Sequence, residues 1–286
     1  MWPEICDRIR TVTGYPLASP QPRSVGGGSI NQAYVLQDSQ GSVFVKINRP
    51  EREAMFAQEF LGLQALAQVG GIRIPRPLAW GVVSSASFIA LEYLPLTTTG
   101  DWSEMGRQLA TLHQQGRGDR FGWSASNTIG STPQINDWSG DWPSFFRDCR
   151  IGYQLRLGER HGGRFSRGNE LLDQLPALLT HQPEPCLVHG DLWSGNAAFS
   201  QSGQPVIFDP AVYYGDREVD LAMTELFGGF PNSFYDGYHA AYPLEPDYHR
   251  RKVIYNLYHI LNHFNIFGGG YERQANGMID SILSGC

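Results

Sequence analysis

The sequence predicts an α+β chain whose strands come first and whose helices come later. Three observations carry that reading. Between Arg23 and Asn48, apolar residues alternate on either side of a turn near Asp38–Gly41, as in a half-buried hairpin. From Trp102 onward, most apolar residues recur at helical spacing. A polar stretch at 187–211 interrupts the helical part with two short apolar runs, Leu187-Val188 and Val206-Ile207-Phe208.

Composition narrows the class. At 286 residues the chain can build one large or two medium domains. Its 41% hydrophobic and 17% charged content is that of a folded protein. The opening, MWPEICDRIRTVTGYP, has no apolar core of a secretory signal. No run approaches the roughly 18 uncharged apolar residues that a membrane span needs, so no membrane partner is expected. Cys6, Cys149, Cys186 and Cys286 have neither CxxC nor Cys/His spacing. They read as free thiols in a reducing, cytoplasmic compartment. A net charge of −6 argues against nucleic acid, whose binding rests on clustered Lys and Arg. Up to Pro95 there are eight basic and seven acidic residues; beyond it, fourteen and twenty-one. The acidic later part suits a cation or an amine-bearing substrate, or simply keeps the chain in solution. Nothing in the sequence fixes an oligomeric state.

The hairpin strands fall at Ala33-Tyr34-Val35-Leu36 and Val43-Phe44-Val45-Lys46-Ile47. Gly26, Gly27 and Gly28 precede them. Lacking Cβ atoms, they can bring backbone N–H groups against an anion, or they can form a flexible turn. Lys46 carries more information. The chain uses Arg twenty times and Lys only at 46 and 252. A Lys in an apolar strand is thus chosen for a compact charge on a long stem, suited to phosphate oxygens. Residues 51–69 form a helix with Met55, Phe56, Phe60, Leu63 and Leu66 on its apolar face and Glu51, Glu53 and Glu59 as its carboxylates. After a break at 71–77, Ala86–Leu94 is a strand running into Glu92, Tyr93 and Leu94.

Helices follow at 102–115, 145–157 and 171–179, with a Gly/Ser/Asn-rich loop at 121–142 between the first two. A helix at 218–227 starts near Asp216, and 249–267 is a long closing helix. Asp220 is expected to brace the backbone of the 187–211 segment. Asp216 and Arg217 are candidates for facing substrate or for local structure. His259 and His263 have zinc-like spacing but no HExxH and no third ligand, so they read as packing.

Residues 187–211, LVHGDLWSGNAAFSQSGQPVIFDPA, hold the densest chemistry. They bring Asp191, Asn196 and Asp209 to the edges of the apolar runs, as a loop or hairpin would if it aimed two acids and an amide at one point. Phosphoryl transfer from a nucleotide needs this set: one Asp to accept the proton of the attacking hydroxyl, an Asn and a second Asp to hold the metal. Magnesium suits such hard oxygen donors, since it keeps several waters and takes one or two carboxylates besides the phosphates. Trp193, two residues past Asp191, can stack on substrate or pack between lobes.

Assembled, these pieces resemble the fructosamine kinase (ketosamine-3-kinase) family, a branch of the protein-kinase-like superfamily beside aminoglycoside phosphotransferases and choline kinases. The resemblance rests on GGGSIN at 26–31, VFVKIN at 43–48, FxxEFxGLxxLA at 56–67, FG…IGSTPQIN at 121–136, DWxxFF at 141–146, HGDLWSGN at 189–196, FDPAVYYGDREVDLAM at 208–223 and LFGGF at 226–230. It implies a bilobal protein-kinase-like fold. Residues 1–95 would form a small antiparallel-sheet lobe with one helix that binds ATP. Residues 96–286 would form a larger, mainly helical, catalytic and substrate-binding lobe. It further implies that Glu59 holds Lys46 and that the backbone of Glu92, Tyr93 and Leu94 meets adenine. The implied activity is ATP- and Mg2+-dependent phosphorylation of the C3 hydroxyl of ketoamines. The acceptors would be fructosamines or ribulosamines, free or on glycated protein lysines, and the implied role is deglycation repair. Two departures from protein kinases stand out: the metal motif reads DPA rather than DFG, and an activation segment with APE has no counterpart. An aminoglycoside- or choline-type phosphotransferase, or a nucleotide-binding pseudokinase scaffold, is the alternative.

Overall fold

The computed structural model describes residues 1–15, 17, 20–26, 30–39 and 41–285. The chain opens on α1 (Trp2–Thr13), which is not among the elements expected above. Pro3 sits in its first turn, Gly14 ends it at φ 68°, and Ile5, Cys6 and Ile9 form its buried face.

Five antiparallel strands follow: β1 (Gln21–Val25), β2 (Gln32–Asp38), β3 (Gly41–Asn48), β4 (Pro77–Val83) and β5 (Ala86–Glu92). Their order is β1-β2-β3-β5-β4, with α2 (Glu53–Val69) crossing between β3 and β4. The expected hairpin and helix are there; β1 and β4 are additional, being either exposed or interrupted by Gly81 and so weakly patterned. Successive side chains of a strand point to opposite faces. Val43, Val45 and Ile47 join Ile5 and Ile9 of α1 in one apolar cluster. Phe44 and Lys46 therefore face the other way, toward α2 and the chain that follows.

Beyond β5 the chain is mainly helical. In order come β6 (Leu96–Thr97), α3 (Trp102–Gln115), β7 (Asn127–Ile129), β8 (Thr132–Gln134), α4 (Trp142–Phe145), a π-helical stretch Phe146–Ile151, α5 (Gly152–Arg160), α6 (Gly168–Leu178), β9 (Cys186–Val188), β10 (Ala197–Ser200), β11 (Pro205–Ile207), β12 (Tyr213–Gly215), α7 (Glu218–Leu226), α8 (Asn232–Ala241), α9 (Tyr248–Phe267) and α10 (Tyr271–Leu283). The loop at 121–142 contains the β7–β8 hairpin, whose three-residue strands are too short to show a period. The helix expected at 145–157 begins earlier, capped by Asp141, whose carboxylate accepts the Ser144 N–H at 2.9 Å, and passes through the π turn.

Among the described residues, three apolar clusters organise the interior. One lies between α1 and the five-stranded sheet. A second joins α2 and β5 to α3, β9, β10 and α8. The third fills the C-terminal helices. The second cluster matters most for function, because Phe56, Leu63 and Leu91 from before Pro95 share it with Leu187, Leu192, Phe199 and Ile207 from after it. Each such side chain contributes about 1.5–3 kcal/mol by leaving water, so the two halves are held by a common core.

His259 is buried, and burial pushes its imidazole down to about 3. His263 Nδ1 donates to the His259 carbonyl at 2.8 Å and its ring lies against Phe227. Both pack, as their lack of a third ligand predicts. Cys6, Cys149 and Cys186 are free thiols. Among the described residues no helix is long and apolar enough to cross a membrane.

Candidate active site

The strand β9 is buried along its whole length and leads through His189 and Gly190 to Asp191, which lines a cleft. Gly190 has φ 80°, and a Cβ there would lie 2.1 Å from the Ala211 carbonyl oxygen. No other residue type fits that turn. Asp220, fully buried in the first turn of α7, accepts the His189 N–H at 2.7 Å and the Gly190 N–H at 2.8 Å. Its carboxylate also lies 3.1 Å from His113 Nε2. Burial would raise Asp220, but these bonds hold it below the usual carboxylate range. Asp220 thus braces the loop backbone, the role its position predicts. His189 Nε2 donates to the Phe208 carbonyl at 2.9 Å, and the Ala211 N–H donates to the His189 carbonyl at 2.8 Å. The loop bearing Asp191 and the segment bearing Asp209 are stitched side by side.

A single 3₁₀ turn at Ser194–Asn196 returns the chain into β10. Asn196 Nδ2 donates to the Asp191 carbonyl at 2.8 Å and approaches the Asp209 carbonyl at 3.4 Å. Its nitrogen is therefore spent on backbone, which leaves Oδ1 as the group it can offer to a cation. The β10–β11 hairpin then brings Asp209 back beside it, at φ 58°, a left-handed conformation that Asp tolerates better than most residues. Asp191, Asn196 and Asp209 thus line one cleft, and hard oxygen donors of this kind fit Mg2+ with its waters. Burial first, and then the charges of Asp209 and Asp220, push the Asp191 carboxyl up to about 7. Burial and the neighbouring carboxylates thus act together against the charged form.

From the opposite wall Lys46 reaches in. Its Nζ donates to Glu59 Oε1 at 2.7 Å and to Asp209 Oδ1 at 2.5 Å. Burial opposes its charge, but the two carboxylates together outweigh burial and hold the ammonium above its ordinary range. Glu59, on α2, is the partner that the resemblance implies, and Glu51 and Glu53 are exposed.

The cleft encloses about 880 Å³. Gly26, Lys46, Glu59, Glu92, Tyr93, Leu94, Asp191, Trp193, Asn196 and Asp209 all line it. Gly27 and Gly28 lie outside the described residues. The Glu92 N–H already donates to the Arg76 carbonyl at 2.8 Å, and its carboxylate takes Arg73 at 2.6 Å. Tyr93 and Leu94 keep backbone N–H groups with no partner among the described residues. Trp193 is 39% exposed on the cleft wall, its ring folded over Gly195.

Asp216 and Arg217 are placed elsewhere. Asp216 is buried, within 2.6 Å of both His181 Nε2 and the Tyr255 hydroxyl, and it caps α7 by accepting the Glu218 N–H at 3.0 Å. The Arg217 guanidinium stacks 3.7 Å from the Tyr242 ring and donates to the Tyr242 and Pro243 carbonyls. Neither lines the cleft, and bonds within the protein take the place of the substrate contact expected for both. Sequence reasoning in turn misses Asn127 and Thr128, which the β7–β8 hairpin adds to the cleft wall. No periodicity marks them.

A two-sided cleft with Lys–Glu on one wall and Asp, Asn and Asp on the other defines an ATP-dependent phosphotransferase of the protein-kinase-like fold. The sequence profile of the fructosamine kinase family matches residues 1–285. A probable ketoamine kinase of Synechocystis is 50% identical over 285 residues, covering 99% of this chain and 97% of its own. The chloroplastic protein-ribulosamine 3-kinase of Arabidopsis thaliana is 44% identical over 267 residues, covering 91% of this chain and 82% of its own. Among solved structures, a candidate fructosamine-3-kinase of Haemophilus somnus superposes with a TM-score of 0.93 at 31% identity, over 99% of this chain and 98% of its own. The chain belongs to the fructosamine kinase family. Choline kinase of Streptococcus pneumoniae, at 16% identity and a TM-score of 0.66, shares the fold alone.

Proposed function

We propose that this protein transfers the γ-phosphoryl group of ATP to the C3 hydroxyl of ketoamines, fructosamines or ribulosamines, and so initiates deglycation. The carrying observation is that Asp191, Asn196, Asp209 and Lys46 line one cleft in a chain of this family. Residues 1–95 supply the nucleotide side. The backbone of Tyr93 and Leu94 meets adenine, Gly26 lies beside the phosphates, and Lys46, held by Glu59, grips them. Asn196 and Asp209 hold Mg2+, which neutralises charge on the phosphates when bound. Residues 96–286 supply the acceptor side. Asp191 orients the sugar hydroxyl and takes its proton, while Trp193 offers a flat face to the sugar. Catalysis is then positioning and charge stabilisation. The resulting 3-phosphate ester is unstable and releases the amine, whether free or on a protein lysine. Free thiols at Cys6, Cys149 and Cys186 agree with a reducing cytoplasm.

The test is ADP release with Mg-ATP over a panel of fructoselysine, ribuloselysine, choline and an aminoglycoside. Turnover of a ketoamine supports the reading. Turnover confined to the aminoglycoside or choline reverses it, and nucleotide binding without transfer to any acceptor indicates a scaffold.

A further inference from the structure

Arg150 sits on the π-helical stretch, is 0% exposed, and meets no carboxylate among the described residues. A buried cation without a counter-ion is costly, and an apolar residue of similar size would pack more cheaply. Its charge is met instead by the Ile135 carbonyl at 2.5 Å, the Cys149 carbonyl at 3.1 Å, Asn136 Oδ1 at 2.8 Å and the Tyr213 ring at 3.9 Å.

What such a cation supplies is direction. A guanidinium can only donate, so Asn136 must present its oxygen to Arg150 and its nitrogen away from it. Asn136 Nδ2 then donates to Asn127 Oδ1 at 2.9 Å, and Gln134 Nε2 donates to the same oxygen at 2.9 Å. Asn127 is left with its nitrogen for the Val212 carbonyl at 2.9 Å, and Gln134 Nε2 also reaches the Ala211 carbonyl at 2.9 Å. The Tyr258 hydroxyl donates to Gln134 Oε1 at 2.8 Å and closes the chain. Every amide in the series has one permitted orientation, required alike by Arg150 at one end and by the two backbone carbonyls at the other. The two carbonyls at its end follow Asp209 directly, with only Pro210, whose φ is fixed, between. Val212 also touches α2 at Gly62, one turn from Glu59.

We propose that Arg150 is a positioning residue for phosphoryl transfer. Through Asn136, Asn127 and Gln134 it fixes the Ala211 and Val212 carbonyls and so sets where Asp209 presents its carboxylate. The inference rests on Asp209 as a metal ligand in the function proposed above. Residues that orient a metal ligand typically change metal affinity or activity about 10–100-fold when removed.

The experiment measures Mn2+ affinity by electron paramagnetic resonance with a non-hydrolysable ATP analogue, alongside kcat, for Arg150→Met, Arg150→Lys, Asn127→Ala and Asp209→Asn. Arg150→Met is expected to weaken Mn2+ and lower kcat about 10–100-fold with metal-free nucleotide affinity unchanged, and Asn127→Ala, on the cleft wall, to weaken Mn2+ as well. Arg150→Lys, which keeps the charge without the fork, is expected to fall between. Folded Arg150→Met protein with unaltered Mn2+ affinity, while Asp209→Asn loses it, overturns the positioning role alone. Unaltered Mn2+ affinity in Asp209→Asn overturns the metal assignment beneath it. If Arg150→Met does not fold, Arg150→Lys decides: Mn2+ affinity equal to the parent's overturns the positioning role, and weakened affinity supports it.

Discussion

Asp191 is held for chemistry at a cost to the resting fold. Its carboxyl is pushed up to about 7 by burial and by Asp209 and Asp220, against 3.8 for a free side chain. An acid raised in the folded state binds more protons there than when unfolded, so stability falls as pH rises through the window between those two values. Relative to Asp191→Asn, metal-free parent protein in EDTA should therefore lose melting temperature between pH 5 and pH 8, the buried His259, which acts in the opposite sense, being common to both. Asp191→Asn should lose this part of the pH dependence and melt higher than the parent at pH 8. Parallel melting curves for the two proteins would show that Asp191 is not raised. The same variant should lose turnover on the order of 10²–10⁴-fold while nucleotide affinity holds, as expected for a general base. These side chains were the most legible part of the chain, because chemistry restricts residue type more sharply than packing does. Lys46 stood out against a composition of Arg, and Asp191, Asn196 and Asp209 by their order and spacing. Asp216 and Arg217 show the limit. Nearness in sequence to the metal segment says nothing of direction, and both turn into the interior.

Among the elements, α2 and the β7–β8 hairpin decide whether the two walls of the cleft meet correctly. Gly62 lets α2 rest on Val212, where an added Cβ would come within 2.8 Å of Val212 Cγ2. Ala is worth about 1 kcal/mol over Gly inside a helix. Overpacking against a stiff branched side chain costs about 1–3 kcal/mol. Gly62→Ala should therefore lower the melting temperature modestly and weaken transfer by tilting Glu59 away from Lys46. A rise in melting temperature with full activity would show that α2 does not bear on Val212. Gly190→Ala should abolish transfer outright, because the Ala211 carbonyl leaves no room; a normally active Gly190→Ala enzyme would contradict the stitched loop. Long elements such as α2, α3 and α9 were readable from periodicity. The short strands of β7–β8 were not, since they are held by buried amide bonds to distant residues rather than by local pattern, and the π turn has no sequence pattern that marks it.

For the whole molecule, one apolar cluster spans both sides of Pro95, so the walls bearing Lys46 and Asp191 share a foundation. Helices α8 and α10 and strand β4 escaped the sequence because their burial is decided by partners far along the chain. The cleft itself was anticipated only as a meeting point of motifs, and its shape comes from tertiary packing. The most direct test is phosphate transfer to ribuloselysine and fructoselysine with Mg-ATP, followed by 31P NMR, for the parent protein beside Asp191→Asn. The account predicts a sugar 3-phosphate that decays to free lysine, formed by the parent and not by the variant. Equal product from both, or phosphate on neither ketoamine while another alcohol is turned over, would contradict it.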